Sequence, residues 1–386
     1  MTPGARIAAT IKVLDAIILG APAEKTLTNW GRSNRFAGSK DRAAIRDLVF
    51  QAIRCRRSSG AWPVVNSGRA WAIGSLYAND QQLADVFTGL GHAPAVLTAK
   101  ETSRPVVSDL DGWDLQDWTI QELIKFYGEV QAFEIAQVLK HRAPTTLRVN
   151  LQKATVLQVK LALAVNGIET SASLISHTAL TVQTNPRQLF LQDIFAKGWF
   201  ELQDSASQAV AAAIPTAGRI LDYCAGGGGK SLAVAARTGA KIFAHDINLR
   251  RMAEIKTRAA RGGHKIEVIP PMDLDPKTLF DTVICDLPCT GSGAWRRSPE
   301  GKWMLTELDI AKYVNLQRNI LTKSAGHLAP GGVLALITCS IFNAENQTQK
   351  NYVSEKFPNF SVLTEKQYLP SPWNDGLYLV VYKANY

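Results

Sequence analysis

Two cysteines follow apolar segments that have the composition of buried strands. Cys289 ends the segment TVICDLPC, in which Asp286 precedes it by three residues, and Cys339 ends the segment LITC. A thiolate is a good nucleophile, so two cysteines at one edge of a sheet could make and break a covalent bond to a substrate. A single cysteine in an apolar strand is more often inert, but two at neighbouring strand ends call for an explanation.

A glycine-rich turn, ILDYCAGGGGKS at residues 220–231, follows an earlier apolar segment. Its end fits a phosphate-binding P-loop, in which Lys230 would clamp a triphosphate and Asp286 would bind magnesium. The opening glycine of that motif is missing, because position 224 is Cys224. Alternatively, the glycines let a cofactor approach the backbone, as in folds that bind dinucleotides or S-adenosylmethionine (SAM). At this point both interpretations stay open.

Two acidic residues follow the next strand-like segments and favour a nucleoside ligand. Asp246 stands 24 residues after Asp222, where a carboxylate can accept hydrogen bonds from both ribose hydroxyls. Asp273 follows the third segment, where a carboxylate can reach an adenine amino group. Alone these acids are a weak signal, since many acids at such places only cap helices.

The elements that would position these residues alternate between strand and helix. The patterns predict strands at RILDYC, KIFAHD, KIEVIP, TVICDL and GGVLALITCS, with helices between them and a closing antiparallel pair at FSVLTEKQYL and GLYLVVYKA. Such alternation predicts an α/β fold with a doubly wound parallel sheet, and ligands bind beyond the carboxyl ends of its strands. The polar motifs stand at those ends.

We predict three domains. Residues 1–140 have the apolar spacing of helices, residues 141–200 form a small mixed α/β module, and residues 201–386 form the Rossmann-like domain. Residues 1–72 hold twelve Lys/Arg against four Asp/Glu, whereas residues 73–140 hold four against ten. The basic first part indicates a polyanionic partner, and nucleic acid is the most common one. The alternative is an ordinary soluble helical surface that is basic by chance.

The composition excludes several classes of protein. The chain has no run of eighteen apolar residues and no pattern of a signal peptide, so we expect neither a membrane span nor export. Five cysteines, an odd number, indicate reduced thiols and a cytoplasmic protein. No Cys-x-x-Cys motif supports a metal site or a redox pair, and we predict no metal. We expect a monomer.

Taken together, the motifs resemble those of the Sun/RsmB family of RNA (cytosine-5) methyltransferases. The similar segments are LDYCAGGGGKS, HDI, DLPCTGSGAWRRSPEGKW and LITCSIFNAEN, with PTTLRVN and LFLQDIFAKGWFELQDSASQAVA before them. GSKDRAAIRDLVFQAIR resembles the NusB-like helical domain of the bacterial rRNA branch. The resemblance implies a class I SAM methyltransferase domain behind a small α+β module and an all-α NusB-like domain.

The resemblance also assigns roles to residues. Cys339 would attack C6 of the cytosine, Cys289 would assist release of the adduct, and Asp286 would bind the cytosine edge. The residues implied in SAM binding are Cys224, Ala225, Gly226, Gly227, Gly228, Gly229, Lys230, Asp246, Asp273 and Asp286. For RNA phosphates we predict Arg296 and Arg297, because paired guanidiniums beside a cleft suit phosphate, and also Arg148 within PTTLRVN.

Three departures from the family pattern remove no reacting group. Gly226-Gly227 stands where the family usually has Ala-Pro, Thr290 replaces a common serine, and Tyr223 replaces a common cysteine. The first could loosen the SAM loop.

Three other functions are weighed against this one. A DNA-type enzyme would attack with Cys289, but its Glu-Asn-Val motif is absent and Cys339 would have no role. A non-catalytic RNA-binding factor would not need both cysteines, and an NTPase would need neither. The NusB-like segment favours ribosomal RNA, in particular that of the small subunit, as the partner.

Overall fold

A computed structural model of the chain describes residues 1–60, 66–78, 82–103 and 107–385. These residues form two compact units. The first comprises Met1–Arg142 together with Trp295–Met304, and the second comprises Ala143–Ala294 and Leu305–Tyr386. The second unit thus contains both regions that we predicted as separate domains, and the division at residue 200 stays a prediction. The membership of Trp295–Met304 in the first unit was not foreseen.

The first unit is built from helices. In chain order these are α1 (Pro3–Ile18), α2 (Ala23–Ser33), α3 (Ser39–Arg54), α4 (Arg56–Gly60), α5 (Gly68–Tyr77), α6 (Ala99–Thr102), α7 (Asp117–Tyr127) and α8 (Glu129–Leu139). Helix α1 begins where the hydroxyl of Thr2 accepts a hydrogen bond from the backbone of Ala5, with proline at the first helical position. Its residues Ile7 and Leu14 lie in the apolar core, as their helical spacing predicts.

A small antiparallel sheet opens the second unit. Its strands are β1 (Thr145–Val149), β2 (Thr170–Ala172), β3 (Ala179–Val182) and β4 (Phe200–Leu202), in the order β2-β3-β1-β4. The helices among them are α9 (Val156–Ala164) and α10 (Asp193–Ala196). Leu147 and Val149 of β1 are buried on its apolar face.

The main sheet has seven strands in the order β10-β11-β9-β8-β5-β6-β7. They are β5 (Ile220–Asp222), β6 (Ile242–His245), β7 (Ile266–Ile269), β8 (Phe280–Asp286), β9 (Leu328–Thr338), β10 (Phe360–Tyr368) and β11 (Leu377–Ala384). The helices that alternate with them are α11 (Ser205–Ala213), α12 (Gly229–Thr238), α13 (Ile255–Gly262), α15 (Glu307–Ala325) and α16 (Gln347–Lys356), while α14 (Gly301–Met304) belongs to the first unit.

Strands β5 to β9 are parallel, and β11 and β10 close the sheet as an antiparallel pair. This confirms the predicted α/β fold class. Strands β8 and β9 are neighbours, with Asp286 opposite Ile337, so the two cysteine motifs leave the sheet side by side. No helix within the described ranges is long and apolar enough to cross a membrane.

Candidate active site

The two predicted cysteines meet at the carboxyl edge of the main sheet. The sulfur atoms of Cys289 and Cys339 lie 3.3 Å apart, and both side chains are partly buried. A disulfide would hold them at about 2.05 Å, so these are two free thiols in hydrogen-bond contact. The hydrogen bond with Cys339 raises the pKa of Cys289 well above its ordinary value, with further contributions from burial and from the carboxylate of Glu345.

Backbone contacts fix the loops that carry these thiols. The amide of Leu287 donates to the carbonyl of Ile337 at 2.9 Å, and the amide of Gly293 donates to the carbonyl of Cys339 at the same distance. A Cβ atom at Gly293 would lie 2.2 Å from the carbonyl oxygen of Gly376. The loop after Cys289 therefore needs glycine at position 293 because another backbone passes too closely for a side chain.

A buried carboxylate, which the sequence analysis missed as a site residue, lies between the two loops. Glu345 is fully buried and accepts hydrogen bonds from the backbone and hydroxyl of Thr290, at 3.0 and 2.6 Å, and from the amide of Gln317 at 2.9 Å. The hydroxyl of Ser340 lies 3.4 Å from that of Thr290. The only available signal was an acid in the segment AEN, which we used to argue against a DNA-type motif.

Asp286 joins this site to the glycine loop. Its carboxylate oxygen Oδ2 lies 3.1 Å from the ammonium nitrogen of Lys230, whose side chain is 6% exposed, while that of Asp286 is 36% exposed. Its Oδ1 makes no hydrogen bond to a residue that the structure describes. Asp286 therefore has a free acceptor on its open side, two residues after Ile284 in the sheet and three before Cys289.

The glycine loop has a backbone that side chains would disturb. Gly226 and Gly228 have φ of +51° and +80°, in the left-handed region that favours glycine. A Cβ at Gly228 would lie 2.9 Å from Cγ1 of Ile255. The loop leads into α12 at Gly229. Its glycines place no side chains at the amino end of this helix, where anionic groups are favoured.

Other residues of the predicted cofactor set lie around this loop. The amide of Ala225 donates to the carbonyl of His245, and Gly227 is exposed. Cys224 is partly buried, and this burial raises the pKa of its thiol. Gly226 and Gly228 are buried and Gly229 is partly buried, so Gly227 is the exposed glycine of the loop.

Asp246 is 2% exposed, and both of its carboxylate oxygens already accept hydrogen bonds from the protein. Its Oδ2 accepts from the amide of Gly226 at 2.9 Å and lies 3.2 Å from Arg251, while its Oδ1 accepts from the amide of Asn248 at 2.8 Å. A ribose would have to share these oxygens. Asp273 lies in the turn after β7 and is exposed.

Asp222 lies beneath the loop with no access to solvent. Its Oδ2 accepts a 2.6 Å hydrogen bond from the hydroxyl of Ser231, and its Oδ1 has no partner in the structure. Burial raises the pKa of Asp222 to about 7, and the hydrogen bond from Ser231 opposes this effect.

The three predicted RNA-binding arginines have different surroundings. Arg148 is 5% exposed and donates to the side chain of Gln203 at 2.6 Å. Arg296 is 1% exposed, and its carbonyl accepts from Arg54 within the first unit. Both guanidiniums are buried in this structure, and their contacts to RNA phosphates stay a prediction. Arg297 is exposed.

The order of the seven strands and the glycine loop between β5 and α12 define a class I methyltransferase fold. Among the residues described, no three His, Cys, Asp or Glu side chains are grouped so that they could hold a metal ion. The family model "16S rRNA methyltransferase RsmB/F" matches residues 211–371, and the model "RsmF/B-like, ferredoxin-like domain" matches residues 116–187. The chain belongs to the Sun/RsmB family.

Curated relatives agree with this assignment. The ribosomal RNA small subunit methyltransferase B of Vibrio cholerae is 34% identical over 250 residues, which are 63% of this chain and 57% of the relative. The protein of the same name from Klebsiella pneumoniae is 34% identical over 60% of this chain and 55% of its own length. The matched region thus spans a little over half the length of these relatives.

Solved structures share the fold. The crystal structure of PH0851 matches over 99% of both chains with a TM-score of 0.77 and 21% identity. NSun6 from Pyrococcus horikoshii, solved with SFG, matches 70% of this chain and 98% of its own, with a TM-score of 0.62 and 15% identity.

Proposed function

We propose that this protein is a SAM-dependent methyltransferase that methylates C5 of a cytosine in RNA, with small-subunit ribosomal RNA as the substrate. The observation that carries the proposal is the pair of free thiols, 3.3 Å apart, that follow the neighbouring strands β8 and β9 beside Asp286. The names of the curated relatives support ribosomal RNA as the substrate.

The glycine loop fits SAM. Positive φ at Gly226 and Gly228, and the collision that a Cβ at Gly228 would cause, leave a backbone cradle at the amino end of α12 for the carboxylate of the cofactor. Lys230 adds a positive charge there. Asp246 and Asp273 are the acceptors that we assign to the ribose and the adenine. When bound, SAM supplies an electrophilic methyl group to C5.

The cysteines overcome the low nucleophilicity of C5. The thiolate of Cys339 adds to C6, so that a carbon–sulfur bond forms and the electrons of the C5–C6 double bond become available at C5. N3 takes up a proton from water as the ring is attacked and loses it again when the thiolate leaves. Asp286 accepts hydrogen bonds from this N3–H and from the amino group, which stabilises the adduct. After C5 carries the methyl group, a base removes its proton, the double bond forms again and the thiolate of Cys339 leaves. Cys289 assists this last step.

The target cytosine has to leave its stack to reach two thiols at the edge of a sheet. Flipping a base costs a few kcal/mol and costs least in single strands and loops. We therefore propose that the enzyme acts on an unpaired cytosine. Arg297 and the basic surface of the first unit are the proposed contacts to the RNA backbone.

Substitution of each cysteine tests the proposal. In Cys289→Ala, Cys339 still attacks but the adduct breaks down slowly, so we expect a protein–RNA adduct that survives a denaturing gel. Cys339→Ala and the double variant should form none. Cys55→Ala is the matched control: Cys55 is a buried thiol of the first unit, so its loss should leave methylation unchanged.

The reverse pattern, with an adduct in Cys339→Ala and none in Cys289→Ala, would establish the DNA-type assignment instead. Methylation by both single variants without any adduct would remove covalent catalysis. Bisulfite sequencing of small-subunit rRNA from cells that lack the protein identifies the target: a single unmethylated cytosine is expected, and an unchanged methylation pattern would exclude this RNA.

A further inference from the structure

A single buried carboxylate links the residues that directly follow the two cysteines. Thr290 follows Cys289 and donates two hydrogen bonds to Glu345, one from its backbone amide and one from its hydroxyl, while Ser340 follows Cys339. The hydroxyls of Thr290 and Ser340 also lie 3.4 Å apart. Glu345 ends the short turn Asn343–Glu345 before α16, so a third segment of chain ties the two cysteine loops together.

A further set of bonds anchors this carboxylate. The amide nitrogen of Gln317 on α15 donates to Glu345 at 2.9 Å and to the carbonyl of Pro288 at 3.0 Å. Gln349 on α16 donates to the side-chain oxygen of Gln317 at 2.8 Å. The position of Glu345 is therefore determined by two helices as well as by the two loops.

The charge of Glu345 is costly at this place. Its side chain is fully buried, and within the described ranges it has no ion pair with a lysine, arginine or histidine, only neutral donors. Burying a charge without a counter-charge is unfavourable, and a neutral glutamine would fill nearly the same space. Such a costly group beside reactive thiols is typical of a functional role.

The carboxylate acts unequally on the two sulfurs. It accepts from both the backbone amide and the hydroxyl of Thr290, whereas Ser340 is linked to it only through that hydroxyl, which lies 3.4 Å from the hydroxyl of Ser340. The titratable groups that face Cys289 are Cys339 and Glu345. A second negative charge is disfavoured close to an existing one, so a thiolate is less favourable on Cys289 than it would be beside a neutral residue.

We propose that Glu345 is a positioning residue that clamps the two cysteine loops together and disfavours a negative charge on Cys289, so that Cys339 reacts in preference to Cys289. The catalytic meaning of this assignment rests on the proposed function. The asymmetry of the two sulfurs is, however, a property of the free protein, and it can be measured without RNA or SAM.

Alkylation of the full-length protein with iodoacetamide measures this asymmetry. Peptide mass spectrometry gives the rate at each cysteine between pH 6 and 10, and the thiolate is the form that reacts. We expect Cys339 to react faster than Cys289 in the wild-type protein. In Glu345→Gln this preference should fall about tenfold. Loss of one nearby negative charge lowers the pKa of the Cys289 thiol by roughly one unit, which is a tenfold change in its thiolate fraction. Glu345→Asp keeps the charge and should restore most of the preference.

The matched control is Glu365→Gln. Glu365 is a hydrogen-bonded carboxylate of the same unit, which accepts from Tyr378 at 2.8 Å and pairs with Lys350, and its loss should leave the ratio of the two rates unchanged. If Glu345→Gln does not fold, Thr290→Val decides the question, since it removes one bond to Glu345 and should reduce the preference in the same direction.

An unchanged ratio in folded Glu345→Gln would overturn the assignment, whether both rates stay as they are or rise equally because the site is looser. An unchanged ratio in Thr290→Val would overturn it where Glu345→Gln cannot be obtained. If the ratio shifts as expected but the wild-type protein methylates no RNA, the role of Glu345 stands and the proposed function fails. If the protein methylates RNA but the ratio does not shift, the proposed function stands and the role of Glu345 fails.

Discussion

The ammonium group of Lys230 and the carboxylate of Asp286 form an ion pair with a distance of 3.1 Å between nitrogen and oxygen. Lys230 belongs to the glycine loop and Asp286 to the cysteine motif that follows β8. In a P-loop this lysine would face the phosphates of a nucleotide. Here it links the loop proposed for the cofactor to the carboxylate proposed for the cytosine, so the two halves of the site are joined.

Loss of this pair should destabilise the protein measurably. We expect Lys230→Met to lower the free energy of unfolding by about 1–2 kcal/mol, because one partner is nearly buried and the other is left alone. Lys241→Met is the control: Lys241 pairs with Glu267 on the same sheet, but both side chains are about half exposed, so its loss should cost less than about 0.5 kcal/mol. Urea denaturation compares the two, and equal effects would contradict the prediction.

The glycine loop should tolerate a methyl group at one position and not at its neighbour. Gly228→Ala places a Cβ 2.9 Å from Ile255 on a backbone with φ of +80°, which should cost about 1–2 kcal/mol of stability and weaken SAM binding. In Gly229→Ala the new Cβ would meet Nε2 of Gln203 at 3.8 Å, an ordinary van der Waals contact, so a near-neutral effect is expected. Thermal unfolding and calorimetry with SAM measure both; similar losses in the two variants would show that space in the loop is not limiting.

The buried Asp222 should make stability depend on pH. Its pKa of about 7 lies above the ordinary value of about 3.9, so the folded chain binds more protons between these pH values and the contribution of Asp222 to stability is lost as the pH rises through 7. Asp222→Asn removes this loss. Relative to the wild type, the variant should gain about 1–3 kcal/mol between pH 5 and pH 8.

Asp309→Asn is the control for this measurement. Hydrogen bonds from Lys312 and Thr306 hold the pKa of Asp309 at about 2, so it is ionised at both pH values in the folded and unfolded chains. Its difference from the wild type should therefore be the same at pH 5 and pH 8. A constant difference for Asp222→Asn as well would mean that Asp222 does not titrate in this range.

The basic surface of the first unit should control the salt dependence of RNA binding. Lys12, Lys25 and Lys40 are exposed and have no ion pair with any residue that the structure describes. Each phosphate contact that is lost reduces the slope of log affinity against log salt by about 0.7–0.9. The triple change of these lysines to glutamine should therefore lower the slope for rRNA by up to about 2–3. The same change at Lys256, Lys265 and Lys366 of the second unit is the control, and an equal reduction there would show that the first unit is not the contact surface.

Local patterns predicted the parts of the fold that depend on local physics. The apolar segments ending in Asp222, Asp286 and Thr338 are strands, because alternation with helices and a polar strand end are visible in a short window. The meeting of Cys289 and Cys339 followed from the same logic, since adjacent parallel strands end at one edge.

Features that depend on distant parts of the chain were not predictable in this way. Two consecutive arginines look alike in the sequence, yet Arg296 is buried and Arg297 is exposed. Their segment belongs to the helical unit, where the carbonyl of Arg296 accepts from Arg54, 242 residues earlier. The proposed role of Glu345 likewise depends on its hydrogen bonds with Thr290 and Gln317, which are 55 and 28 residues away in the sequence. A window of neighbouring residues contains neither partner.

The segment Trp295–Met304 also determines when the first unit can be completed during synthesis. Lys302 and Trp303 donate to the carbonyls of Arg54 and Ile53, the last turn of α3, and Lys302 is itself fully buried there. A ribosome releases the chain from its amino end, so the first 142 residues emerge long before these donors exist. Until residue 304 has left the exit tunnel, the carbonyls of Ile53 and Arg54 lack these two donors, so the helical unit stays incomplete while strands β5 to β8 of the main sheet are being made.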